Sequence, residues 1–204
     1  MVTNPDRTER SRRAILDAAR PVFERSGYAA ASLNRIIEAS GLTKGGFYFH
    51  FPSKQALALA VLEDHHRRWI GAIREQISAH PRAVDRLFAA PRAIARATRA
   101  GEGPAALQKL VSELAQDPDL RDQVCNGSRI WIETVTEHFR AAQEEGSVRA
   151  DLEPALFAEV AVAGFTGMQS LTGQFDDDGL ERRAEHLVRV LRLAVLTDQE
   201  ARRT

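Results

Sequence analysis

Residues 41–54 read GLTKGGFYFHFPSK and gather four aromatic rings, one histidine, two lysines and two adjacent glycines into fourteen positions. Lysine ammoniums and helix-end amides hold phosphate, while tyrosine and histidine offer hydrogen bonds and ring faces. That chemistry suits contact with a polyanion. Other parts of the chain hold reactive residue types in unproductive arrangements. Glu63 to His66 (EDHH) are metal-type side chains, but neighbours on a helix point about 100° apart and cannot close on one ion. Asp176 to Asp178 lack the twelve-residue spacing of a calcium loop and read as a solvated turn. No activated serine or cysteine and no glycine-rich phosphate loop is present, so neither an enzyme nor a cofactor is expected. A helical adaptor without nucleic acid would leave Lys44, Tyr48 and His50 without a use.

The elements that must position this stretch are legible from periodicity and caps. Ile15, Ala18, Ala19, Val22 and Phe23 form one apolar helical stripe, which Gly27 closes. Ser32 is placed to cap a second helix carrying Leu33, Ile36 and Ile37 as far as Gly41. Thr43 caps a third of about seven or eight residues, which Pro52 ends. Ser53 caps a long fourth helix that runs towards Pro81. Two short helices around a tight glycine-bearing turn are a helix-turn-helix, whose second helix can enter the DNA major groove. In that geometry Phe47 and Phe51 face inward onto Ile15, Val22 and Leu33, and Lys44, Tyr48 and His50 face outward. Gly45 and Gly46 weaken the third helix by roughly 1 kcal/mol each, which makes sense where a backbone must approach another molecule.

Composition is consistent with this division. The 204 residues are 44% hydrophobic and 27% charged, enough for a substantial core. No apolar run reaches the length needed to span a membrane. The opening MVTNPDRTERSRR lacks an apolar signal segment, so a cytoplasmic location is expected. The single cysteine, Cys125, excludes an internal disulfide and reads as an ordinary thiol near a helix end; no zinc spacing occurs. Net charge is zero, yet residues 1–55 hold nine Arg or Lys against five acids. A basic N-terminal segment on a neutral chain implies a localised polyanion contact. Beyond it, Gly101 to Pro104, Asp117-Pro118, Asn126-Gly127, Gly146, Pro154 and residues 173–179 divide the chain into helical lengths. The expected fold is all-α: a three-helix head on a larger helical body.

The stretch ILDAARPVFERSGYAAASLNRIIEASGLTKGGFYFHFPSKQALALAV closely resembles the N-terminal domain of TetR-family transcriptional regulators. The resemblance implies a helix-turn-helix DNA-binding domain at 1–52 and a helical ligand-binding and dimerisation domain at 53–204. It places Ser32, Thr43, Lys44, Gly45, Tyr48, His50 and Lys54 at positions that touch DNA. It further implies a homodimer on palindromic operator DNA, acting mostly as a repressor and released by a small molecule. KGGFYFHFPSKQALALAV, a tryptophan at 131 ahead of AAQEEGSVRADLEP, and AVAGFTGMQSLTGQ resemble the γ-butyrolactone autoregulator receptors of Streptomyces. A different inducer, such as an antibiotic, or an orphan pseudo-receptor is the alternative within the family.

Two late stripes bear on the body. Leu156, Val160, Ala163, Gly164, Gly167, Met168 and Leu171 follow helical spacing, as do Leu180, Ala184, Leu187, Val188, Leu191 and Val195. From spacing alone, these helices either complete the core or pair with their copies in a four-helix bundle; the family resemblance favours the bundle. In the resemblance the ligand site includes a tryptophan, which points to Trp131. Helix facing adds Val135, Phe165, Met168 and Gln169 as lining, with Thr134 and Thr166 supplying hydroxyls.

Overall fold

The computed structural model describes residues 5–101, 103–124, 126–175 and 179–203, and these are helical almost throughout. The helices are α1 (Pro5–Ser26), α2 (Leu33–Ser40), α3 (Lys44–His50), α4 (Lys54–Ser78), α5 (Ala83–Arg99), α6 (Gln108–Leu114), α7 (Pro118–Val124), α8 (Asn126–Glu144), α9 (Pro154–Phe175), α10 (Leu180–Val195) and α11 (Asp198–Ala201). Among the described residues there is no strand, only an isolated bridge between Val148 and Leu196. Cys125 and the Asp176 to Asp178 turn lie outside the described residues, as do the first four residues of the basic segment.

Contacts gather the chain into two compact units, Met1–Arg67 with Ala106–Asn126 and Arg68–Ala105 with Gly127–Thr204. This division differs from a simple cut at residue 52. The reason is that Leu107, Leu110, Leu114, Leu120 and Val124, on and beside α6 and α7, share a core with α1 to α4.

In the first unit, that core is built around Ile15, Phe23, Ile36, Phe47 and Leu57, all fully buried. The caps fall where the sequence puts them. The Ser32 hydroxyl accepts from Arg35 N at 3.4 Å, that of Thr43 from Gly46 N at 3.1 Å and that of Ser53 from Ala56 N at 3.0 Å. Gly27 and Gly41 end α1 and α2 with φ of 71° and 70°, in the left-handed region where a glycine carries no Cβ penalty. The Arg13 guanidinium on α1 meets the buried Asp64 of α4 at 2.9 Å.

In the second unit, α5 and α10 pack together and α9 lies against α10. The α10 stripe turns inward: Leu180, Ala184, Val188 and Val195 are buried. The α9 stripe does not, since Leu156, Val160 and Leu171 are 55%, 67% and 45% exposed. α9 instead presents Phe157, Ala158 and Phe165 to the core. No side chain caps α5 from its own N-cap position, Arg82; the Glu145 carboxylate accepts from Ala83 N in its place, at 2.9 and 3.1 Å. Arg82 reaches Glu200 at 2.6 Å and Ser147 at 3.0 Å, stitching the C-terminal segment to the turn after α8. Pro91 lies within α5.

Burial, with His65 alongside, holds the His66 imidazole of α4 down at about 4. An unfolded histidine titrates near 6.5, so protonation favours the unfolded chain. The stabilisation is complete above that value and is lost as pH falls towards 4. Between pH 7 and pH 5 the first unit should lose about 1–2 kcal/mol, and His66→Gln should flatten that slope in thermal melts.

Candidate nucleic-acid interface and ligand chamber

The sequence-expected DNA residues all sit in the first unit, in three settings. Ser32 and Thr43 are the N-caps of α2 and α3, and the turn between those helices runs from Gly41, the left-handed C-cap of α2, to Thr43, so it is fixed at both ends. Lys44, Gly45 and Tyr48 lie on the exposed side of α3, with Tyr48 52% exposed and its ring edge-on to buried Phe47 at 5.3 Å. No atom approaches within 4 Å of where a Gly45 side chain would begin, so no crowding inside the unit accounts for this glycine. His50 is half-buried at the end of α3. Its imidazole titrates below the ordinary value, chiefly from burial and then from the Arg12 guanidinium, with Glu9 acting in the opposite direction.

Lys54 is engaged within the unit. Its ammonium donates to the Ala29 carbonyl at 3.2 Å and lies 4.9 Å from the centre of the Tyr28 ring. The neighbouring Ala29 N–H donates to Glu113 of α6 at 2.8 Å. A side chain on Gly27 would strike that carboxylate at 2.5 Å. Glu113 and Lys54 therefore hold the chain between α1 and α2 from two sides.

Sequence reasoning passed over Phe49, whose ring is 67% exposed between Tyr48 and His50. The signal was available: Phe47 and Phe51 are four apart on the buried side, which leaves position 49 on the opposite face.

The residues expected around a ligand do not all converge. Trp131, Val135 and Phe165 line one chamber in the second unit, with Phe88, Phe157 and Leu187 among its other walls. Its volume is about 30 Å³, and every residue lining it is apolar. Thr134 is buried but already committed: its hydroxyl donates to Ile130 O at 2.9 Å and accepts from Arg74 at 2.7 Å. Thr166 is exposed and donates to Val162 O. Gln169 donates to Thr98 Oγ1 at 3.1 Å, and Met168 borders an open groove along α10. Helix spacing fixed their faces but not the depth at which each side chain ends.

Among the described residues no three His, Cys, Asp or Glu side chains could hold a metal together, and no helix is long and apolar enough to cross a membrane.

The profile of bacterial regulatory proteins of the tetR family matches residues 15–61, and that of the tetracyclin repressor-like C-terminal domain matches residues 81–191. The chain is 28% identical to the A-factor receptor protein of Streptomyces griseus over 176 residues, covering 85% of this chain and 58% of that protein. Among solved structures, one explaining the control of antibiotic production by bacterial hormones is 31% identical, covers 91% of this chain and 97% of its own, and has a TM-score of 0.74. TylP, a TetR regulator from Streptomyces fradiae, is 26% identical with a TM-score of 0.71, covering 95% and 90% of the two chains.

Proposed function

Starting from the premise that the chain belongs to the TetR family of bacterial transcriptional regulators, we propose that it is a cytoplasmic repressor binding palindromic operator DNA as a homodimer and released by a small apolar ligand. The observation that carries this reading is the doubly capped turn, which sets α3 with Lys44, Gly45, Tyr48 and Phe49 on its open side. Lys44 contacts phosphate and the exposed rings contact base edges, while Ser32, Thr43, His50 and Lys54 fix the register on the backbone. For Lys54 this means exchanging the Ala29 carbonyl for a phosphate oxygen.

The second copy of the chain covers the exposed apolar residues of α9 and α10. Leu156, Val160, Val190 and Leu193 are 55%, 67%, 50% and 82% exposed on two helices that pack together, and large apolar side chains left this open support an association site there. A dimer presents two copies of α3 to successive major grooves, about 34 to 36 Å apart.

The ligand is of the γ-butyrolactone class, bound in the second unit with Trp131 as the principal wall. Supporting this are the similarity to the A-factor receptor and the wholly apolar chamber, which suits an alkyl chain. A ligand site is commonly about 300 Å³ or more, so the 30 Å³ chamber has to open to admit a lactone. Ligand binding then draws population from the DNA-competent conformer, and the two conformers must differ in ligand affinity by a few kcal/mol for useful switching. The small volume also favours a second reading, an orphan regulator with no ligand of its own. Screening butyrolactones, butenolides and antibiotics for release of bound DNA separates the two.

Four variants test the proposal. On a duplex selected from a randomised library, Lys44→Ala should lower affinity at least about tenfold and reduce the salt slope by about 2, one phosphate contact for each copy of α3, with the melting temperature unchanged. Tyr48→Ala should lose more of the preference for the selected sequence than of general affinity. Leu193→Glu should sediment as a folded monomer at micromolar concentration and lose operator binding, whereas an intact dimer would place the interface elsewhere. Trp131→Ala should still bind the selected duplex but resist release by a lactone.

A further inference from the structure

The chamber offers an alkyl chain good company but gives a polar atom nothing to bond. Beside it, however, stands a donor without an acceptor. The indole Nε1 of Trp69, on α4, is buried and has no hydrogen-bond partner among the described residues. The residue itself is 8% exposed. Leaving such an N–H unsatisfied carries a desolvation cost, and a phenylalanine would pack as an apolar ring without it. Trp69 packs directly against Trp131, ring centroids 5.5 Å apart and planes at 55°. Trp131 therefore both lines the chamber and packs against the ring that carries the idle donor.

A lactone-sized molecule cannot enter 30 Å³ unless a wall recedes. Moving the Trp131 indole would enlarge the chamber and extend it towards the Trp69 ring. Resting on the ligand reading above, we propose that Trp69 is a specificity-determining residue: its Nε1–H donates to a neutral carbonyl oxygen of the ligand. The acceptor is neutral because no charged residue lines the chamber, and Arg74, farther along α4, donates to Thr134. A carboxylate would be buried there without a counter-ion.

Isothermal titration of the full-length protein tests this with three matched probes: γ-decalactone, its carbonyl-free counterpart 2-hexyltetrahydrofuran, and the ring-opened 4-hydroxydecanoate. The wild type should prefer the lactone to the ether by roughly tenfold and take up no detectable carboxylate. Trp69→Phe should lose that preference, binding both neutral probes with the affinity of the ether. Replacing Trp69 by β-(3-benzothienyl)alanine keeps the bicyclic shape and removes only the N–H, and it should behave in the same way. Lactone affinity unchanged in the benzothienyl variant would overturn the role of Trp69 while leaving the chamber as the ligand site. Failure of the wild-type protein to bind either neutral probe would overturn the ligand reading and this proposal together.

Discussion

A seven-residue helix with glycines at its second and third positions has no stability of its own; isolated helices shorter than about 12 residues are marginal in water even when rich in alanine. α3 exists because Phe47 is fully buried and Phe51 nearly so, in a core shared with α1, α2 and α4. Burying a phenylalanine contributes roughly 1.5–3 kcal/mol, enough to offset the two glycines. Everything presented on the other face of α3 depends on that anchorage. The Thr43 hydroxyl sets where the helix begins, the Phe51 backbone closes it, and the rings behind hold its orientation.

The second unit has a different physical character. Its central chamber is small and apolar, and of the polar groups near the core Thr134 and Arg74 satisfy one another while the Trp69 N–H has no partner among the described residues. A close-packed interior of this kind changes between discrete arrangements of its side chains and not by continuous deformation. α4 contributes residues to both compact units: Leu57 and Val61 belong to the head core, and Trp69 to the core of the second unit.

The head was legible because its signals are local. Ser32, Thr43, Ser53, Gly27 and Gly41 each act within a few residues of themselves, and the structure uses each as expected. The return of α6 and α7 to the head core was not legible, since an amphipathic pattern such as Leu107, Leu110 and Leu114 says that a face is buried without saying against what. Lys54 illustrates the same limit. Its position in the motif is local information, whereas its bond to Ala29 and its closeness to the Tyr28 ring depend on a tertiary arrangement. In the body, the family resemblance points to Trp131, and helix facing adds Val135 and Phe165 as large apolar residues beside it. Trp69 was passed over because a buried indole looks like packing until its N–H is traced and found idle.

Pro91 and Leu87 both border the chamber, four residues apart on α5. A proline has no N–H to give, so the Leu87 carbonyl is denied the rung that would normally tie it to the next turn. A helix with a missing rung flexes there more cheaply than an intact one. The side of the chamber formed by α5 thus carries a ready-made crease, where a bend breaks one ladder bond fewer than in an uninterrupted helix.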